Sequence, residues 1–546
     1  METATSIGAY LIQRLYEEGV HHVFGVPGDF ILTFDKLLEE SLIQFINTCD
    51  EQGAGFAADA YARLRGLGAV CVTYSVGGFK IANTTAQAFA EKSPVVVISG
   101  APGTHERRKN PLLHHKVRDF DTQYKVFQEL TIASTVLDDP HTAFSEIDRV
   151  LAAALKYKRP VYIEIPRDMV SAAGDANYVR KRQVDESDPE TLAEAIQEAV
   201  ELINAAKQPV ILADVEIHRF GLQDALLQLT EKTNIPVAET VLGKSVISEL
   251  HPNYIGLYAG ALGDELTCEY VETSDCLIML GVFLTDINLG VFTANLDPKH
   301  SISVTSERAS IQFHTYEDIR LQDFIHGLIK ANIKQQQDLK RPERNLTTSF
   351  TPVAKQPITV NRLFKRLNLF LDNDLIVIAD VGDALFAGLE LFVHGRSRFL
   401  SPAYYASLGF AVPASIGAQV ASRGMRPLVL VGDGAFQMTG MELSTIARYN
   451  LNPIVLVLNN GGYGTERPML DGKFNDVLPW QYSQIPNLLG VGRGFDVWTE
   501  DDLETALVES QAHTESFCIL DVHLDAADAS VALKRLTQGL GQRVGA

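Results

Sequence analysis

An acid sits in this chain where a phosphate-binding loop would be expected to exclude one. The stretch from Val431 to Glu466 reads VGDGAFQMTGMELSTIARYNLNPIVLVLNNGGYGTE, with Asp433 between Gly432 and Gly434. Leu428–Val431 and Ile454–Leu458 are apolar runs of strand length, so Asp433 and Asn460 each follow the C-terminal end of a buried strand. Met441–Tyr449 reads as the intervening helix. Ligands of open α/β sheets bind at that strand edge. An Asp oxygen, an Asn oxygen and a nearby backbone carbonyl are hard donors suited to Mg2+, which fills its octahedron with phosphate oxygens and water. On this reading the acid holds a cation and the cation holds the phosphate. Either glycine-rich tract alone reads as a turn; the pair, each at the end of an apolar strand, favours a site. The nucleotide readings are weaker. AETVLGKS has Ala238 where a Walker loop needs its first glycine, and Gln437 occupies the third glycine position of a dinucleotide fingerprint.

Other chemistry-bearing residues are scattered through the chain. Asp29 lies in FGVPGDF, Glu51 in CDEQGAGFAADAYAR, His114–His115 in LLHHKV, and Glu466 ends NNGGYGTE. Singly, Glu51 reads as a surface or capping acid and Asp29 as a turn or helix cap. The adjacent histidines read as exposed or structural, and as helix neighbours they would diverge by about 100°, a poor arrangement for chelating one metal.

The elements that must position these residues alternate. GAVCVTYSVGG, SPVVVISGAPG and RPVYIEIPRD are strand-like runs, with helical stretches such as IGAYLIQRLYEEG and FAADAYARLRG between them. A polar linker, RKRQVDESDPETLAEA, leads to a second block with strands QPVILAD and DCLIMLGVF. KQQQDLKRPERNLTTSFTPVAKQP is a second linker, followed by strands LIVIAD, RPLVLVGDG and NPIVLVLNN. The pattern predicts an α/β protein of three blocks with parallel sheets, divided near residues 180 and 350. The length of 546 residues agrees with about three domains. A net charge of -21 argues against a nucleic-acid partner. The five cysteines form no CxxC pair, which suits reduced thiols in the cytoplasm. The N-terminal stretch has no basic region followed by an apolar run, and no segment is apolar enough to predict a membrane span.

Gly432–Asp433–Gly434 followed after about 25 residues by Asn459–Asn460 resembles the signature of thiamine diphosphate enzymes. Together with Asp29, Glu51, His114–His115, Glu466, TYSVGG and VFLTDINLGVF, it makes nearly the whole chain similar to the 2-oxo acid decarboxylases acting on pyruvate, indolepyruvate, phenylpyruvate or branched-chain acids. The resemblance implies three doubly wound parallel-sheet domains of the thiamine diphosphate-binding fold. They would be a pyrimidine-binding domain over 1–180, a central domain over 181–350 and a diphosphate- and Mg2+-binding domain over 351–546. It implies thiamine diphosphate and Mg2+ as cofactors, with Asp433, Asn460 and the Gly462 carbonyl on the metal. Glu51, Asp383, Ala406, Leu408, Gly432, Asp433, Gly434, Asn460 and Gly462 would contact the cofactor, Leu408 as the apolar wedge under its bend, although plain core packing would also account for Leu408. Ala406 stands where relatives often carry Gly.

The implied reaction is non-oxidative loss of CO2 from a 2-oxo acid through a thiamine ylide and enamine, giving an aldehyde. Glu51 would promote the cofactor's imino tautomer from a dry pocket, where its carboxyl pKa is expected to rise. Asp29, His114, His115 and Glu466 would manage proton transfers. Val381, Leu385, Phe386, Thr465 and Met469 would line the substrate pocket. Leu385 and Thr465 are smaller than the side chains found in pyruvate-specialised relatives, which points to branched-chain or aromatic acids. The family's active site lies between two subunits, so a homodimer is the minimum and a homotetramer the expectation. The alternatives are a carboligase of the acetohydroxyacid synthase or benzaldehyde lyase type, sharing Glu51, Asp433 and Asn460, and a non-catalytic assembly protein.

Overall fold

The computed structural model describes residues 5–181, 185–337, 339–344, 346, 349–396 and 398–544. Both expected linkers include residues outside that set. The chain divides into two compact units: Met1–Val184 with Val412–Gly424 and Thr439–Leu451, and Asp185–Ala411 with Met425–Met438 and Asn452–Ala546. The last third of the sequence is therefore shared between units, which its unbroken strand–helix pattern does not suggest.

The first unit is built on six strands: β1 (His22–Gly25), β2 (Gln44–Asn47), β3 (Gly68–Val72), β4 (Val95–Ala101), β5 (Ala133–Val136) and β6 (Val161–Pro166). They pair in the order β2-β1-β3-β4-β6-β5, all parallel. Strands β3, β4 and β6 are buried along their whole length, as expected of a parallel sheet covered on both faces. The helix Glu51–Arg65 starts where the Asp50 side chain accepts from the Gln52 N–H at 2.8 Å, and it ends at Gly66 in the left-handed region. Its alanines and glycines permit close packing. A Cβ on Gly53 would fall 2.1 Å from Glu442 Oε1, so only glycine leaves room for that buried acid.

The second unit carries two sheets. One contains β7 (Pro209–Ala213), β8 (Val237–Glu239), β9 (Tyr254–Leu257), β10 (Cys276–Leu280), β11 (Ser301–Val304), β12 (Ala309–Ile311) and β13 (His314–Tyr316), in the order β13-β12-β11-β10-β7-β8-β9. Strands β11, β12 and β13 pair antiparallel. The expected parallel-sheet α/β fold holds, with an antiparallel edge on this sheet: the connections after β11 and β12 are too short for a crossover and permit only hairpins. The other sheet contains β14 (Leu375–Ala379), β15 (Phe399–Leu400), β16 (Arg426–Gly432), β17 (Ile454–Asn459), β18 (Arg493–Val497) and β19 (Cys518–His523), in the parallel order β15-β14-β16-β17-β19-β18. Its adjacent strands β14, β16 and β17 end just before Asp380, Asp433 and Asn460.

The helix expected at Met441–Tyr449 needs correction. A helix already begins at Asp433 and runs to Thr439, and after a single 3-10 turn another covers Leu443–Arg448. Gly434 is therefore no turn residue. It sits in the first helical turn, where a Cβ would lie 2.7 Å from the Tyr463 ring.

Candidate active site

Two groups of residues form, one in each unit. In the first unit Glu51 follows β2 and opens its helix, with 8 % of its surface exposed. Its Oε2 stands 2.8 Å from Lys80 Nζ, and a Cβ on Gly77 would lie 3.3 Å from its Oε1. Asp29 follows β1, and His114 Nε2 lies 2.7 Å from Asp29 Oδ2. The buried Phe30 ring stacks on His114 at 4.9 Å between centroids. His114 and His115 lie in a turn rather than on a helix, and His115 has φ +67°. Their rings are 4.8 Å apart, and one donor atom each from Asp29, His114 and His115 all fall within 4.8 Å of one another. The divergence expected of helix neighbours does not arise, because the left-handed His115 backbone turns the two rings towards each other. The buried His115 Nδ1 has no hydrogen-bond partner. Such an atom is costly unless a bound molecule meets it.

In the second unit Asp433 is held in a ring of backbone donors. Gly434 N–H donates to Oδ1 at 2.7 Å, and Gly461 and Gly462 N–H donate to Oδ2 at 2.7 and 3.0 Å. Gly461 (φ +75°) and Gly462 (φ +154°) occupy backbone conformations that L side chains rarely adopt, which is how two successive N–H groups reach one oxygen. Burial pushes the Asp433 carboxyl up to about 6, against the opposing effect of those three donors. The same bonds tie the end of β16 to the turn carrying Asn460 and the Gly462 carbonyl. A partly dehydrated carboxylate tied to the turn that carries the Asn460 amide and the Gly462 carbonyl offers oxygen donors that could hold a divalent cation.

The remaining sequence candidates belong to the same unit. Asp383 gives both carboxylate oxygens to Ser530, one to its N–H at 2.8 Å and one to its hydroxyl, so they bind the chain itself. Leu385 and Phe386 are buried in the unit's apolar core, whereas Val381, Thr465 and Met469 are only partly covered. A Cβ on Gly382 would lie 3.2 Å from Thr465 Oγ1, which brings the Val381 segment against Thr465. Glu466 is open to solvent on one side, yet the protein around it raises its carboxyl pKa through desolvation. Leu408 is half-buried, an apolar side chain left partly uncovered. Ala406 has φ +57°. That conformation strains any residue with a Cβ and explains why glycine suits the position.

Three family models match the chain: Thiamine pyrophosphate enzyme, N-terminal TPP binding domain, over residues 5–125; central domain over 196–331; and C-terminal TPP binding domain over 380–522. Indole-3-pyruvate decarboxylase of Azospirillum brasilense is 37% identical, covering 97% of both chains. Alpha-keto-acid decarboxylase of Mycobacterium leprae is 32% identical over 98% of this chain and 96% of its own. The chain belongs to the thiamine diphosphate-dependent 2-oxo acid decarboxylases. Pyruvate decarboxylase 1 of Pisum sativum, 31% identical over 97% of this chain and 92% of its own, is a further relative. Members of this family are enzymes, carboxy-lyases, which sets aside the assembly-protein reading. The relatives do not favour the carboligase alternative. No helix among the described residues is long and apolar enough to cross a membrane.

In this decarboxylase two supporting acids escape the sequence reading. Asp380, fully buried, accepts the N–H groups of Val381 at 3.0 Å, Gly409 at 3.1 Å and Ala411 at 2.8 Å, pinning the loop that carries Ala406 and Leu408. Burial pushes its carboxyl up to about 6, which leaves it ionised at neutral pH. Asp521 accepts from Asn459 Nδ2 at 2.8 Å and from Tyr482 N–H at 3.2 Å, while the Tyr482 hydroxyl meets Gln437 Nε2 at 2.9 Å. It thereby braces both the turn before Asn460 and the helix that begins at Asp433. The available signal was an acid at the end of an apolar strand, or inside one: LIVIAD and CILDVH.

Asp380→Asn is expected to cost roughly 2–3 kcal/mol, since its amide would turn a donor towards backbone donors that need an acceptor. Urea denaturation should register the loss, and thiamine diphosphate should bind more weakly. Unchanged stability together with unchanged cofactor binding would show that the carboxylate does not hold the loop.

Proposed function

We propose that this chain decarboxylates aromatic or branched-chain 2-oxo acids to aldehydes with thiamine diphosphate, and that Asp433, Asn460 and the Gly462 carbonyl would hold the Mg2+ that the cofactor's diphosphate requires. The bound cofactor supplies the electron sink that the departing CO2 requires. Glu51 offers a buried carboxyl to the cofactor's pyrimidine ring. Asp29 orients His114 through their 2.7 Å contact, and the unpartnered Nδ1 of His115 is free to bond the substrate. Together they hold and deliver protons at the reacting carbonyl and carboxylate. Glu466, whose carboxyl pKa is raised by desolvation, is the further acid placed to take part in proton transfer. The Asp29–His114–His115 cluster carries the decarboxylase reading, because a carboligase sharing Glu51 and Asp433 has no need of it.

For the substrate, Val381, Thr465 and Met469 give the pocket its partly open wall, while Leu385 and Phe386 set its depth from the core side. The modest bulk of Thr465 and Leu385 leaves room for a long acyl chain. The name of the Azospirillum relative, indole-3-pyruvate decarboxylase, agrees with an aromatic acid. Pyrimidine-binding, central and diphosphate-binding roles are assigned to 1–180, 181–350 and 351–546. The working form is at least a homodimer, and a homotetramer is expected. A cytoplasmic location fits the five unpaired cysteines.

The test is steady-state aldehyde release with Mg2+ and thiamine diphosphate across pyruvate, 4-methyl-2-oxopentanoate, phenylpyruvate and indolepyruvate. The expected kcat/KM for the aromatic acids exceeds that for pyruvate by at least about tenfold, the effect of one or two methylenes of pocket fit. A preference for pyruvate would end the substrate reading. A 2-hydroxyketone formed without free aldehyde would transfer the chain to the carboligases.

A further inference from the structure

Lys80 has no place in the scheme above, yet it touches the acid on which that scheme turns. It ends the short helix Val76–Lys80, and its ammonium bonds both Glu51 Oε2, at 2.8 Å, and Asp50 Oδ2. Asp50 uses its other oxygen to cap the Glu51–Arg65 helix. One cation thus bridges two successive carboxylates. The backbone shape that delivers it is specific: Ser75 has φ +61°, its N–H donates to Gln123 Oε1 at 2.5 Å, and Gly77 passes close to the other oxygen of Glu51. About half of the Lys80 side chain is exposed, so it can swing away without unpacking a core.

The other charged groups near this point are accounted for. Glu442 is buried behind the N-cap and accepts the Cys49 and Asp50 N–H groups at 3.2 and 3.1 Å. Asp59, Arg63 and Glu91 form a separate buried cluster farther along the helix. Its bonds to Asp50 and Glu51 raise the Lys80 pKa, so the ammonium keeps its charge.

We propose that Lys80 is a positioning residue that latches Glu51 as a carboxylate in the cofactor-free chain, and that cofactor binding must displace it while Glu51 takes up a proton. The inference rests on Glu51 meeting the cofactor's pyrimidine nitrogen. A hydrogen bond between that nitrogen and a carboxyl oxygen needs one shared proton. A carboxylate paired with an ammonium has none to give, and neither does the neutral ring. The proton therefore comes from solvent, and Lys80 keeps its own protons and falls back on Asp50. The latch would hold back cofactor uptake, increasingly so as the pH rises.

The test is calorimetric titration of thiamine diphosphate, at saturating Mg2+, into cofactor-free protein in buffers of different ionisation enthalpy. Native protein should take up close to one proton per site. Lys80→Gln should bind roughly three- to fivefold more tightly, the scale of one half-exposed ion pair, with less proton uptake and a flatter pH dependence. Lys80→Arg should restore native behaviour. Unless affinity and proton uptake both move in these directions in Lys80→Gln, the latch is wrong. Glu51→Gln separates the premise from the inference. It should abolish proton uptake, and native uptake in that variant would show that Glu51 does not meet the ring.

Discussion

Glu51→Gln should lower kcat for aldehyde release by at least about 100-fold, the lower end of what a positioned acid–base group contributes. The substitution keeps the volume and one carbonyl oxygen at the head of a buried helix whose N-cap is Asp50 rather than Glu51 itself, so the fold should persist. What disappears is the ability to gain and lose a proton at the one carboxyl beside Gly77 and Lys80. The amide can still hydrogen-bond a ring nitrogen, so the loss should fall on kcat more than on KM. Single-turnover decarboxylation with bound cofactor is the cleanest measurement. A variant retaining more than about a tenth of native kcat would take Glu51 out of the proton path.

Asp433→Ala should produce the second large effect, on assembly of the holoenzyme rather than on a chemical step. Three N–H groups, those of Gly434, Gly461 and Gly462, lose their acceptor together, and the proposed metal loses its carboxylate. Outer-shell partners of a metal alone are worth about 10–100-fold in affinity, so removing a ligand should weaken Mg2+-dependent cofactor binding by at least about 100-fold. A thermal-melt series with and without Mg2+ and thiamine diphosphate would read it. The native protein should be stabilised by the pair, by about 2.7 kcal/mol when ligand stands at 100 times Kd, and the variant should not. Equal stabilisation of both proteins would remove Asp433 from the metal site.

The pH dependence has a definite sign. Burial holds the Asp433 carboxyl at about 6 against its usual 3.8, so the folded chain binds more protons than the unfolded one between those values. Without metal, this group therefore lowers stability as pH rises from 3.8 to about 6, and the cost persists above that range. A divalent cation offsets the cost by pairing with the ionised form, so stabilisation by Mg2+ should grow as pH rises through about 6.

Much of this protein was legible in its sequence, for a local reason. Apolar runs such as LIVIAD, RPLVLVGDG and NPIVLVLNN announce buried parallel strands. A polar residue just past such a run must lie at the sheet edge where ligands bind, so Asp433 and Asn460 could be placed together before any coordinates. Other features depend on contacts between residues remote in sequence, to which periodicity is blind. The antiparallel pairing of β11 with β12 and of β12 with β13 follows from loop length rather than strand pattern. The turn that closes His114 on Asp29 needs a left-handed residue that composition does not mark. Asp380 and Asp521 look like ordinary acids until the sheet order brings loop N–H groups and Asn459 to them. Lys80 reaches Glu51 only because the chain bends at Ser75. The sequence by itself determined which residues lie at strand ends, because burial repeats at short range. Only the tertiary structure decided which charges share an oxygen, because a hydrogen bond selects its partner within about 3 Å wherever the chain happens to supply one.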